Sequence, residues 1–160
     1  MRREFIKAIV ASAILWPLAA RGQQSEVVWL GYLKVTGPNG KRAHVTAAQV
    51  SSVRSDSQIH GANAELTMAN GKIYGVLEHV EEVMQQITAG PRGGAPWIRL
   101  TEPSGDLIHI NTAQLISIRY DTQIPGANAE LGMANGKIHG VQEDVDDIMQ
   151  LIAAAAAPIR

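Results

Sequence analysis

Displaced by 65 residues, the chain matches itself without a gap: Tyr32 falls on Trp97, His44 on His109, Asn63 on Asn128, Gly71 on Gly136 and Met84 on Met149. Of the 56 positions from Tyr32 to Ile87, 30 are identical to their counterparts. A duplication of this length limits what the chain can fold into. A unit of about 60 residues buries only about 60% of the surface its unfolded chain exposes, which leaves it marginal alone. The chain has no Cys and only 4% aromatic residues, so no disulfide and few large rings help. The two copies, residues 32–88 and 97–153, are therefore expected to support each other as an intramolecular pseudo-dimer related by a pseudo-twofold axis, with like surfaces meeting. The Gly- and Pro-rich residues 89–96 read as the linker between them.

Within each copy, apolar residues alternate as strands require. Leu33 and Val35, or Ile98 and Leu100, share one face of the stretches YLKVT and WIRLT. Turn residues Pro38, Asn39 and Gly40, or Pro103, Ser104 and Gly105, then reverse the chain. Strands follow through AHVT or IHIN, then VSSVR or LISIRY, and AELTM or AELGM. The Asn-Gly pairs at 70–71 and 135–136 predict two-residue type I′ hairpins into a last strand, Lys72 to Val76 or Lys137 to Val141. Val80, Val83, Met84 and Ile87, and Val145, Ile148, Met149 and Ile152, repeat at helical spacing. The expected fold is mainly β with short helices (β+α): two tandem repeats, each a five-stranded antiparallel meander or small barrel plus a C-terminal helix.

Residues 1–22 have the layout of a signal peptide. Basic Arg2, Arg3 and Lys7 precede the uncharged stretch Ala8 to Ala20, which is shorter than the roughly 20 residues a spanning helix needs. The string RREFIK resembles a twin-arginine export signal, and a general secretory signal is the alternative. Either route implies a periplasmic or secreted protein without a transmembrane span after cleavage, beginning with a segment 23–31. Removing the leader takes away Arg2, Arg3, Lys7, Arg21 and Glu4, leaving 10 basic and 14 acidic groups. Affinity for phosphate backbones needs clustered Lys and Arg, so nucleic acid is not expected as a partner. Residues 154–160 form an Ala-rich tail.

The stretch WIRLTEPSGDLIHINTAQLISIR, followed by MANGKIHGVQEDVDDIMQLI, resembles the small flagellar-operon proteins of the FlbD and SwrD type. The matching residues are Ile98, Leu100, Thr101, Gly105, Ile110, Asn111, Leu115, Ile118, Asn135, Gly136, Lys137, Val141, Glu143, Val145, Asp147 and Ile148. The first copy matches less closely. The resemblance implies a shared fold and a non-catalytic accessory role near a motor or envelope assembly.

The most suggestive region is the loop in which Asp56, Gln58, Gly61, Asn63 and Glu65 recur as Asp121, Gln123, Gly126, Asn128 and Glu130. These are the candidate binding residues, since loops on a rigid scaffold commonly carry function. The same residue types also build turns for purely structural reasons. His44 and His109 occupy matching strand positions, but two His do not make a zinc site, and no metal or cofactor is expected. The acid run Glu143, Asp144, Asp146 and Asp147 is expected in the first turns of the second helix, where negative charge favours exposed amides. No nucleophile elbow, phosphate loop or cysteine nucleophile is present, so no enzyme is expected. The function expected is an exported non-catalytic binding or accessory protein of the cell envelope. It would recognise a protein or envelope component through a strand edge or the repeated Gln-Ile-x-Gly-Ala-Asn loop. The alternative is a small-molecule-binding protein or hydrolase with a polar site between the copies, in which Glu65 and Glu130 would meet.

Overall fold

The computed structural model describes residues 31–90 and 96–157. The leader expected at 1–22, residues 23–30, residues 91–95 of the expected linker and residues 158–160 of the tail lie outside the described residues. The described residues are mainly β with two helices. In the first copy, β1 (Tyr32–Thr36) and β2 (Arg42–Thr46) are followed by a 3-10 turn (Ala47–Gln49). Then come β3 (Val50–Arg54), β4 (Ala64–Met68), β5 (Ile73–Val76) and α1 (Val80–Ala89). The second copy repeats the order with β6 (Trp97–Thr101), β7 (Leu107–Asn111), a 3-10 turn (Thr112–Gln114), β8 (Leu115–Arg119), β9 (Ala129–Met133), β10 (Ile138–Val141) and α2 (Val145–Ala156).

The turns differ from the type I′ expectation. No residue other than Gly has a positive φ among the described residues, so Asn70 and Asn135 cannot occupy the first position of such a turn. Met68 N donates to Lys72 O at 2.8 Å, Gly71 N donates to Met68 O at 2.9 Å, and Gly71 has φ 83°. This is a three-residue loop: an ordinary turn closed by one left-handed Gly. Asn70 instead uses its Oδ1 to accept from Lys72 N at 3.0 Å. The Asn135 turn repeats this arrangement.

Pairing also departs from a five-stranded meander within each copy. β2 does not continue onto β3, nor β7 onto β8; the short 3-10 turns between them carry the chain from one layer to the next. Each turn is pinned from below, Ala69 N donating to Gln49 O and Ala134 N to Gln114 O, both at 2.7 Å. Among the described residues the result is three sheets. The hairpin β1–β2 stands by itself, β10–β9–β8 form a three-stranded sheet, and a central five-stranded sheet runs β5–β4–β3–β7–β6. The five-stranded sheet thus contains three strands of one copy and two of the other.

Two hydrophobic cores fill the spaces between these layers. Leu33, Val35 and Val45 of the hairpin face Val50, Val53, Leu66 and Val76, with Val80 and Val83 of α1 covering them. Ile98, Leu100, Ile108 and Ile110 face Leu131, Met133 and Val141 in the same way, covered by Val145 and Ile148 of α2. Trp97, from the second copy, packs against the first core.

The copies do pack against each other, but not about a pseudo-twofold axis. β3 pairs antiparallel with β7, which is the counterpart of β2. A twofold arrangement would pair β8 with β2 as well, yet among the described strands β2 pairs with β1 alone and β8 with β9 alone. Unlike edges meet at the seam, so the interface is heterologous, and the expected pseudo-dimer is corrected to a head-to-tail joint.

Candidate functional site

The repeated loop is held by its own copy. Asn63 donates Nδ2 to Leu77 O at 2.6 Å, and its N–H donates to Val76 O at 2.8 Å. Asn128 does the same to Gln142 O and Val141 O, at 2.6 and 2.8 Å. Gly61 and Gly126 have φ of 81° and 80°, a left-handed conformation that other residues adopt at a cost. Ile59 folds onto β5 so tightly that a Cβ on Gly75 would stand 2.8 Å from Ile59 Cγ2. The corresponding approach of Ile124 to Gly140 is 2.7 Å. The identity of these loops therefore has a packing cause. Gln58, Gln123 and Asp121 are exposed and Asp56 is half-buried.

The two candidate glutamates do not come together as a dyad. Glu65 lies in the five-stranded sheet and Glu130 in the three-stranded one, each near the Arg of its own copy. Arg54 Nη1 is 3.9 Å from Glu65 Oε1, and Arg119 Nη1 is 3.6 Å from Glu130 Oε1. Gln58 N also donates to Glu65 Oε2 at 3.2 Å.

In the acid run, Glu143 lies before α2 rather than in it, and its carboxylate accepts from Thr101 N at 2.9 and 3.0 Å, tying the helix entry to β6. Glu78 plays the same part toward Thr36 N at 2.9 Å. Asp146 and Asp147 do occupy the first helical turn.

Of the polar groups that join the copies, Arg54 and Glu102 were not singled out from sequence, while Asn111 and Asn135 entered only through the FlbD-type resemblance and the hairpin signal, and His109 as a strand histidine. Across the seam, Ser52 faces Ile110, Val53 faces His109 and Arg54 faces Ile108. Arg54 Nε donates to Glu102 Oε2 at 3.0 Å, Asn111 Nδ2 to Val50 O at 2.9 Å, and Asn135 Nδ2 to Met68 O at 3.0 Å. Burial raises the Glu102 carboxyl above its usual range against the opposing pull of Arg54. His139 Nε2 is buried without a hydrogen-bond partner, and burial, then Arg54 and Lys137, lowers its pKa to about 4. His109 is lowered by burial and by Arg99. A signal for these residues existed in the differences between copies: Glu102, Asn111 and Trp97 stand where the first copy has Gly37, Thr46 and Tyr32.

Among the described residues, the counterparts of the seam's two edges, β8 and β2, pair with no further strand. Along β8, a groove is lined by Thr112, Leu115, Ile116, Ser117, Met149 and Ile152. Along β2, another is lined by Ala43, Val45, Thr46, Gln49, Met68 and Tyr74, with Asn70 at its side. Ser51, in β3, is 1% exposed, whereas its counterpart Ile116, in β8, is 72% exposed. Among the described residues, no group of three or more His, Cys, Asp or Glu could hold a metal, and no helix is long and apolar enough to cross a membrane.

No family model matches the chain, and no curated protein matches it. Among solved structures it is similar to a LytTr DNA-binding domain from Bacillus cereus, with a TM-score of 0.51 and 14% identity over 76% of this chain and 96% of that one. At that identity the likeness is one of fold. It nevertheless overturns the expectation that excluded nucleic acid as a partner, because the same architecture serves a DNA-binding domain elsewhere. The exclusion rested on net charge, a sum over the whole surface. A local face can still be basic, and Lys34, Lys41 and Arg42 are all exposed on the β1–β2 hairpin.

Proposed function

We propose that the chain is an exported, non-catalytic binding protein of the cell envelope, built from two duplicated units, that takes up an extended segment of a protein or envelope component by strand addition. The observation that carries this reading is the β8 edge: a strand paired on one side among the described residues, with Ile116 at its surface and Met149 and Ile152 of α2 beside it. Such an edge offers unpaired backbone groups for affinity and a side-chain groove for selectivity. The non-catalytic reading draws support from the repeated Asn, Gly and Glu residues, which are engaged within their own copies. The resemblance to FlbD- and SwrD-type proteins points the same way.

Capture from an envelope extract on the immobilised chain tests the reading. The wild type retains its partner, Ile116→Lys loses it, and Asn63→Ala and Asn128→Ala keep it; equal capture by Ile116→Lys would sink the edge as the site. Export is tested separately by replacing both Arg2 and Arg3 with Lys. Retention of the chain inside the cell is the result expected for the twin-arginine route.

A second reading, duplex DNA binding through the β1–β2 hairpin, is favoured by the fold shared with the LytTr domain together with exposed Lys34, Lys41 and Arg42. Phosphate contacts make such binding steeply salt-dependent. A mobility shift at low salt, lost on replacing those three residues with Ala, supports it. No shift at low salt removes it.

A further inference from the structure

The internal seam is a worked example of what covers this strand edge. In the first copy, the β3 edge and the apolar face beside it are covered by β7, with Trp97 of β6 against the core. In the second copy, the same edge, β8, pairs with no strand beyond β9 among the described residues. The hairpin equivalent to β6–β7 is β1–β2, and its β2 edge pairs with no further strand among the described residues. Among the described residues, one molecule therefore carries two strand edges, β2 and β8, that no further strand pairs with.

Resting on the strand-edge reading above, we propose that the occupant of the β8 edge is a second copy of this chain, whose β1–β2 hairpin docks there as β6–β7 docks on β3. The 65-residue offset transfers the register directly. Ser117 lies opposite Val45, and Arg119 opposite Ala43, as Ser52 lies opposite Ile110 and Arg54 opposite Ile108. Tyr32, 46% exposed, takes the place of Trp97 against Met149 and Ile152 of the receiving molecule. Asn70 takes the place of Asn135, which donates across the internal seam to Met68 O, and so reaches Met133 O.

The joint is heterologous, so every addition leaves a fresh β2 edge and a fresh β8 edge, and the product is a ring or a filament according to whether the rotation closes. It is also weaker than the internal seam. Glu102, which pairs with Arg54, has Gly37 as its counterpart, and Asn111, which reaches Val50 O, has Thr46. Association is accordingly reversible and follows concentration.

The test is sedimentation of the full purified chain from about 1 µM to about 1 mM, with two variants that each block one end. Ile116→Lys puts a charge on the receiving edge, and Tyr32→Glu puts one on the docking hairpin; both positions are exposed, so far-UV circular dichroism stays unchanged. The wild type grows in mass with concentration, and each variant alone stays monomeric. An equimolar mixture of the two forms a 1:1 dimer and nothing larger, because each retains the end the other lacks. The pair Ile116→Glu and Tyr32→Lys gives the same pattern and serves if either first variant misfolds. A wild type that stays monomeric overturns the proposal, as does a mixture that fails to dimerise. A monomeric wild type that still captures another protein through the β8 edge removes self-assembly and leaves the binding reading in place.

Discussion

Arg54, at the end of β3, places its guanidinium Nη2 3.0 Å from Glu102 Oε2 of the other copy and its Nη1 3.9 Å from Glu65 Oε1 of its own. Both carboxylates are buried, so one cation is shared between two acids at the joint.

Replacing Arg54 by Met leaves those acids without their shared cation. Breaking a buried pair from one side typically costs about 3–5 kcal/mol, because the remaining charge is uncompensated. Urea unfolding of Arg54→Met is expected to show a loss in that range, and adding Glu102→Gln should return a large part of it. A loss below about 1 kcal/mol would mean that the pair is screened by solvent.

His139 makes stability depend on pH. Its folded pKa, about 4, lies below the ordinary 6.5, so the unfolded chain binds the proton more readily. Its contribution is complete above pH 6.5 and is lost as pH falls toward 4, by up to about 3 kcal/mol. Glu102 acts in the opposite sense, since its raised pKa favours the folded state as pH falls. The informative measurement is the difference between wild type and His139→Gln across this window. The variant should have the flatter acid limb, and parallel curves would refute the assignment.

Gly140→Ala places a methyl group 2.7 Å from Ile124 Cγ2 and 2.9 Å from Ala127 Cβ. Overpacking of this kind costs about 1–3 kcal/mol. Thermal unfolding should show the loss, and combining it with Ile124→Val should cost less than the sum of the two changes.

Asn63→Ala and Asn128→Ala each remove one hydrogen bond to a carbonyl, at Leu77 and Gln142. Each should cost about 0.5–1.5 kcal/mol, the net worth of one such bond. Partner capture should be unaffected, and a variant of full stability that no longer binds would restore the loop as the contact site.

Strand positions were legible because alternation at Leu33 and Val35, or Ile98 and Leu100, reports burial directly. The helical stripes were legible for the same reason. Pairing was not: whether β2 continues onto β3 depends on a 3-10 turn made of Ala47, Ala48 and Gln49, residues with no strong turn signature. The Asn-Gly pairs misled because Asn70 can satisfy Lys72 N with its side chain while only Gly71 turns left-handed. Attention to identity between copies selected Asn63, Asn128 and their loop neighbours; the two Asn bond carbonyls of their own copies, while Gln58, Gln123 and Asp121 lie exposed. The joint itself is written where the copies diverge, at Trp97, Glu102 and Asn111, since only one copy of each position has to bridge.

Because the joint between β3 and β7 uses up one edge and presents an equivalent one further along, the architecture has no built-in length. A third unit encoded in frame after α2, joined by a stretch like residues 90–96, would find its seat already prepared. The gene could therefore lengthen in whole repeats without any redesign of the interior.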